Sequence, residues 1–299
     1  MGTPEFAVPS LQILLQQAYQ VVAVITAPDK PAGRGLRLTP SPVKELAVKY
    51  NIPVLQPTNL KSPDFLEELK SYGANLQIVV AFRMLPEAVW NMPGIGTFNL
   101  HASLLPQYRG AAPINWAIIN GETETGLTTF FLKQEIDTGN IIFQEKEPIY
   151  EQDTAGLLYE RLMQKGAQLV LKTVQAIEAG NYPQIAQQLV LPIKTAPKIY
   201  KETCEINWNQ PSKKIYDFVR GLSPYPTAWA MLQEKFYKIY ALQRITSRGT
   251  PDATPGSIVT DHKQYIHLKT QDGWLDIEEL QQEGKKKMKT AEFLRGNKL

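Results

Sequence analysis

The spacing of apolar residues changes period several times along this chain, and the changes outline alternating strands and helices. Val21-Val22-Ala23-Val24-Ile25 is an unbroken run rich in β-branched residues, the pattern of a strand buried on both faces. Val54-Leu55, Leu76 to Ala81 and Gly96 to His101 read as further strands, with helices over Pro42 to Tyr50 and Pro63 to Tyr72. Ahead of the first strand, Ala7, Leu11, Leu14, Leu15 and Ala18 fall on one face of a helix that begins near Val8. Such alternation predicts a parallel sheet with helices on both faces. Pro113 opens a helix that Gly121 closes. Leu127 to Leu132 and Ile141 to Glu147 read as two more strands. Thr154 to Ala179 reads as one long helix whose apolar positions include Leu157, Leu158, Leu162, Leu169, Val170 and Ile177.

Beyond that helix the pattern breaks. Residues 183–202 show little periodicity and carry Pro183, Pro192 and Pro197, the marks of a linker. Ser212 to Gly221 then reads as a helix, and Tyr237 to Thr246, Ser257 to Thr260, Ile266 to Thr270 and Trp274 to Leu280 as short strands. Short strands at that spacing predict a small barrel. The expected layout is an α/β domain over 1–182, a linker over 183–202 and a smaller β-barrel domain over 203–299.

Composition excludes several classes. A chain of 299 residues with 43% hydrophobic and 20% charged residues is ordinary for a soluble globular protein. Cys204 is its single cysteine, so no internal disulfide forms, and with three histidines no cluster has metal-ligand spacing. The expectation is no metal and, with no signal peptide and no apolar run long enough to span a bilayer, a cytoplasmic protein with no membrane partner; a monomer is expected as well. The net charge of +3 is too small to argue for nucleic acid, but its distribution is uneven. From Thr203 onward fifteen Lys and Arg face eleven Asp and Glu, against seventeen and eighteen before it.

The candidate chemistry lies between Phe98 and Gly110. Side chains alternate along a strand, so Asn99 and His101 share one face while Leu100 takes the other. Pro106 and Gly110 end the strand and start a loop. An amide and an imidazole thus emerge together where a strand runs into a loop, the usual ligand position in open α/β sheets. Asp137 follows in the turn Glu135-Ile136-Asp137-Thr138-Gly139. Amide, imidazole and carboxylate are the parts needed to polarise a carbonyl, move a proton and orient the base. The segment Asp29 to Pro42, with Lys30, Arg34 and Arg37, reads equally as a solvated excursion or as a basic finger for phosphates.

Asn99-x-His101, Ser103-Leu104-Leu105-Pro106-x-Tyr108-Arg109-Gly110 and Asp137-Thr138-Gly139 resemble the formyltetrahydrofolate-dependent formyltransferases. Within that family, Gly2 to Ala7 and Asp29 to Gly35 resemble the branch whose acceptor is the α-amine of methionyl-initiator tRNA. The resemblance implies a Rossmann-like catalytic domain followed by an oligonucleotide-binding-like barrel that contacts tRNA. It implies Asn99, His101 and Asp137 as catalytic residues, and Ser103, Leu104, Leu105 and Pro106 as contacts to 10-formyltetrahydrofolate. It also tips Lys30, Arg34 and Arg37 toward tRNA. Asp137 is left to orient the imidazole, stabilise its charged form or act through water, and Arg109 to pair with an anion or brace the loop.

Two departures from the family pattern stand out. Phe82-Arg83-Met84-Leu85-Pro86 replaces a tyrosine-glycine turn one residue longer, which bears on the shape of the pterin slot. The short apolar strand expected ahead of Gly2-Thr3-Pro4 is missing, so the natural chain is expected to start a few residues upstream. Rival acceptors are an amino sugar, glycinamide ribonucleotide or water. A non-catalytic RNA-binding module is a further rival, which has no use for the Asn99, His101 and Asp137 trio.

Overall fold

The apolar runs of the N-terminal half become a sheet of mixed direction. The computed structural model describes residues 1–32, 37–189, 191–245 and 252–297. They divide into two units: Met1–Arg109, Gly126–Glu147 and Tyr159–Lys194; and Gly110–Thr125, Pro148–Leu158 and Thr195–Leu299. In the first unit Val24–Ile25 runs parallel to Val54–Leu55, and Leu76–Val80 parallel to Gly96–His101. Gly96–His101 also pairs antiparallel with Glu124–Phe131, and Ile141–Pro148 lies beyond it. Met1 and Gly2 lie between the 24–25 and 76–80 strands, with Gly2 bridged to Val80. Gly2 N donates to Ile25 O at 3.1 Å, Val80 N donates to Met1 O at 2.9 Å, and the Met1 amine donates to Ile78 O at 2.7 Å. Burial there lowers the Met1 amine from 8.0 to about 5.

The helices form where expected, at Val8–Gln16, Pro42–Lys49, Pro63–Ser71 and Ala155–Glu178. Ser41 caps the second by accepting from Lys44 N at 3.1 Å. The long helix packs on the back of the 96–101 strand. A Cβ at Gly166 would lie 2.7 Å from Leu100 Cδ2, so a larger residue there would have to displace the leucine tip, and Thr173 meets Thr129 through a 2.9 Å hydrogen bond. Leu100 therefore faces this helix, which leaves Asn99 and His101 to the opposite side. Leu158, Leu162, Leu169 and Val170 are buried, whereas Leu157 is half exposed because its neighbour Leu158 already takes the core-facing direction.

The segment from Asp29 to Pro42 is not the open loop its three prolines suggest. Lys30–Ala32 and Arg37–Thr39 pair antiparallel as a hairpin. Its base is fixed: Asp29 accepts from Lys44 Nζ at 2.6 Å and Gln56 Nε2 at 2.7 Å. The hydrogen bond from Lys44, then that from Gln56, holds the Asp29 carboxyl below its usual range. Pro31 is tolerated because the ribbon has only one partner for each strand.

The second unit is a curled antiparallel sheet, the half-barrel form of the expected small barrel. Its order is Ala228–Leu232, Lys235–Ile245, Trp274–Gln282, Ile266–Lys269, Ile258–Thr260, with Met288–Lys289 added to Trp274–Gln282. Register shifts around Ala241 bend the long second strand. Helix Ser212–Leu222 places Ile215, Val219 and Leu222 in a core with Ile239, Leu268, Ile277 and Leu280. Strand Ala228–Leu232 and helix Thr290–Gly296 are absent from the periodicity reading. No helix among the described residues is long and apolar enough to cross a membrane.

One side chain in this sheet opposes folding. Asp276 Oδ1 is buried with no hydrogen-bond partner among the described residues and lies 3.7 Å from His267 Nε2. Burial, with a smaller push from Glu278, raises its carboxyl from 3.8 to about 6. Between those values the folded state holds a proton that the unfolded state has released, so Asp276 lowers stability as pH rises through that window and keeps it lowered above. Asp276→Asn should stabilise the protein by about 1–3 kcal/mol at pH 8 and give no gain near pH 4. Urea unfolding of both forms at the two pH values checks this; a loss of stability at pH 8 would contradict it.

Candidate active site

The strand Gly96–His101 carries Asn99 and His101 to its C-terminal end, where the chain turns into the loop 102–110. His101 is buried and Asn99 half-buried. Among the described residues the Asn99 side chain has no hydrogen-bond partner, which leaves its amide available to a ligand. His101 Nε2 lies 2.9 Å from Tyr108 O. A carbonyl oxygen only accepts, so Nε2 carries the hydrogen and Nδ1 is the basic nitrogen of the neutral ring. Nδ1 faces Asp137 Oδ2 at 3.9 Å. That separation is too long for a direct hydrogen bond.

The two loops that meet at His101 are each fixed by close contacts. Asp137 adopts φ 55°, a left-handed conformation uncommon for a side-chain-bearing residue. Gly139 two residues later has no space for a Cβ, which would fall 1.6 Å from Phe131 O. The glycine of Asp137-Thr138-Gly139 is therefore a packing requirement. In the other loop Tyr108 adopts φ 60°, and its N–H donates to Lys194 O at 2.6 Å. Thr128 pins the middle of that loop from the neighbouring strand. Its hydroxyl donates to Ser103 O at 2.7 Å and accepts from Leu105 N at 3.2 Å and Gln144 Nε2 at 3.0 Å. Gln144 Nε2 also donates to Leu105 O at 2.9 Å.

These bonds define what the loop can offer. The Ser103 hydroxyl donates to Gln107 O at 2.7 Å and is fully buried. Leu105 is buried with Phe130 and Ile141. Both side chains face inward, and the half-exposed Leu104 and Pro106 are the ones placed to form a wall. Arg109 braces the loop rather than standing free: its Nε and Nη2 donate to Gln187 Oε1 at 3.2 and 2.6 Å. Lys30 is exposed on the hairpin, Arg37 lies in its returning strand, and Arg34 lies outside the described residues. Among the described residues no three His, Cys, Asp or Glu side chains group as metal ligands.

A family profile described as formyl transferase matches residues 1–174, and one described as formyl transferase, C-terminal domain, matches residues 198–298. The chain belongs to the formyl transferase family. A methionyl-tRNA formyltransferase of Bacteroides fragilis is 54% identical over 302 residues, covering 99% of this chain and 93% of that protein. Another, of Parabacteroides distasonis, is 56% identical over 306 residues, covering 100% and 94%. Among solved structures, WlaRD, a sugar 3N-formyl transferase in the presence of dTDP and 5-N-formyl-THF, has a TM-score of 0.67 at 22% identity, over 95% of this chain and 97% of that one. HypX from Aquifex aeolicus in complex with tetrahydrofolic acid has a TM-score of 0.61 at 21% identity, over 83% and 43%. At those identities the likeness is one of fold.

The family resemblance carried by the Asn99, Ser103 to Gly110 and Asp137 segments is thus borne out. Thr128, Gln144 and Gln187 escape sequence reading in this formyl transferase. Thr128 and Gln144 sit in ordinary strand patterns, and their partners are loop backbone groups that no periodicity reveals. Thr128→Val keeps the shape, strips the loop of two hydrogen bonds and takes a third from Gln144. It should destabilise the protein by about 2–4 kcal/mol, because buried loop groups lose their partner. Thermal and urea unfolding measure it; a loss near zero would show that the loop is held by other contacts.

Proposed function

We propose that the chain transfers the formyl group of 10-formyltetrahydrofolate to the α-amine of methionyl-initiator tRNA, giving formylmethionyl-tRNA for translation initiation. The observation that carries this reading is the 3.9 Å approach of His101 Nδ1 to Asp137 Oδ2 beside the unpartnered Asn99 amide. Relatives named methionyl-tRNA formyltransferase, 54–56% identical over nearly the whole chain, supply the acceptor. We place the catalytic work in 1–182, tRNA contact in the hairpin and in 203–299, and the protein as a monomer in the cytoplasm.

The α-amine attacks the formyl carbon, and the carbonyl oxygen becomes an oxyanion. Asn99 donates a hydrogen bond to that oxygen without changing its own protonation. His101 Nδ1 takes the proton released by the attacking nitrogen, and Asp137 stabilises the imidazolium that results. Collapse of the tetrahedral centre breaks its bond to the folate nitrogen, which receives the proton from His101 and leaves as tetrahydrofolate. No covalent enzyme intermediate is required. Leu104 and Pro106 give the folate an apolar wall, while Ser103 and Leu105 shape the loop behind it.

The acceptor's phosphates call for cations, and Lys30 and Arg37 in the hairpin strands, with Arg34 between them in sequence, are the residues assigned to them. In the second unit Trp229 stacks on Phe236 at 5.2 Å, and Lys201 Nζ lies 5.2 Å from the Phe236 ring. Lys198 sits 5.2 Å from the Tyr200 ring. Aromatic rings with lysines suit stacked bases and backbone phosphates. In the run 285–289, Lys287 is already paired with Glu279 and Lys286 with Glu292, which weakens it as a phosphate contact.

The test offers 10-formyltetrahydrofolate together with charged initiator tRNA, uncharged tRNA, free methionine, an amino sugar nucleotide, glycinamide ribonucleotide or water alone. Formylated product should appear with charged initiator tRNA only. Transfer to the sugar or the ribonucleotide, or release of formate, would replace this reading with the corresponding rival. His101→Ala should lower kcat by roughly 10²–10⁴-fold while folate affinity is retained. Near wild-type turnover would remove His101 from proton transfer. Arg34→Ala should raise the KM for charged tRNA and leave folate affinity within about twofold, since phosphate contacts act on the nucleic acid alone; equal loss of both would count against the hairpin.

A further inference from the structure

Gln187 joins two loops that sequence keeps far apart. Its Nε2 donates to Asp137 O at 2.8 Å and to Gly139 O at 2.9 Å. Its Oε1 accepts from Arg109 Nε at 3.2 Å and from Arg109 Nη2 at 2.6 Å. All four contacts use the two ends of one half-buried amide. The neighbouring Ile185 is itself tied to the sheet by mutual hydrogen bonds with Ile141 at 2.8 and 2.9 Å, so the amide stands on a fixed backbone. We propose that Gln187 is a positioning residue for the formyl-transfer site, holding the turn of Asp137 so that its carboxylate stays beside His101.

The physical reason lies in the backbone of Asp137. At φ 55° an aspartate sits in the left-handed region, less favourable than the ordinary helical one, so the turn needs outside support to persist. Gly139 fixes one side of that turn by its close approach to Phe131 O. The Gln187 amide fixes the other, and Arg109 in turn orients the amide. Because a carboxamide has distinct donor and acceptor ends, the two bonds to Arg109 leave only the NH2 end to face the Asp137 and Gly139 carbonyls. Arg109 thereby acquires a role that the loop sequence left open: it sets which way the glutamine points. Loss of this hold lets the Asp137 carboxylate leave its 3.9 Å contact with His101 Nδ1 and weakens stabilisation of the imidazolium in the transition state. As a positioning residue Gln187 acts through Asp137, so substrate binding is expected to be spared.

The inference rests on the catalytic roles proposed for His101 and Asp137. Gln187→Glu separates its two halves, since glutamate keeps an acceptor for Arg109 and loses both donors to the carbonyls. Gln187→Ala removes both halves and serves as the second variant. Each should lower kcat about tenfold, the expected effect of one lost positioning contact, with KM for charged tRNA and folate within about twofold. In an Asp137→Ala background the same substitutions should change kcat less than about twofold, because the residue they act through is gone. Equal losses in both backgrounds, unchanged kcat in both variants, or a wild-type rate in Gln187→Glu beside a deficit in Gln187→Ala would each overturn the positioning role. The wild-type chain assayed alongside separates the two claims. A wild-type chain that formylates no charged tRNA overturns the functional reading with everything built on it, whereas an active wild-type chain matched by both variants overturns the positioning role alone.

Discussion

The hydrogen bond from His101 Nε2 to Tyr108 O fixes which nitrogen of the ring carries the hydrogen. An imidazole at neutral pH offers one donor and one acceptor, and which nitrogen plays which part depends on its neighbours. Here a carbonyl that only accepts claims Nε2 and turns Nδ1 toward Asp137. The same constraint explains the geometry of the loop. Tyr108 must present its carbonyl back toward the strand, and it does so from φ 60° with its N–H bound to Lys194 O. Pro106 and Gly110 on either side let the chain make that reversal.

Around this bond the fold supplies rigidity in layers. The strand carrying Asn99 and His101 has a partner on each side, Leu76–Val80 and Glu124–Phe131, and Leu100 locks its back against Gly166. Thr128 and Gln144 reach from the neighbouring strands to hold the loop backbone. The hairpin is anchored separately through Asp29, Lys44 and Gln56. Catalysis by preorganised groups needs such rigidity, because the donors must be in place before charge develops.

Much of this was legible from residue pattern. Period two along Gly96 to His101 put the amide and the imidazole on one face, and the β-branched runs marked the buried strands. The hairpin at Lys30–Ala32 was hidden because Pro31 argues against a strand, and that argument fails only where a strand has a single partner. Strand Ala228–Leu232 was hidden by Pro224 and Pro226 just before it and by the brevity of its alternation. Gln187 could not be found at all by periodicity. It lies in a stretch without it, and a side-chain amide bonded to backbone carbonyls leaves no trace in the spacing of apolar residues.

The most direct measurement is the tautomer of His101. With only three histidines in the chain, ¹⁵N-labelled imidazoles can be assigned by single substitution, and their shifts separate protonated from unprotonated ring nitrogens. At a pH where the ring is neutral, the account requires hydrogen on Nε2 of His101 and a bare Nδ1. Hydrogen on Nδ1 instead would mean that the nitrogen facing Asp137 cannot accept the substrate's proton, and the arrangement of the site described above would be wrong.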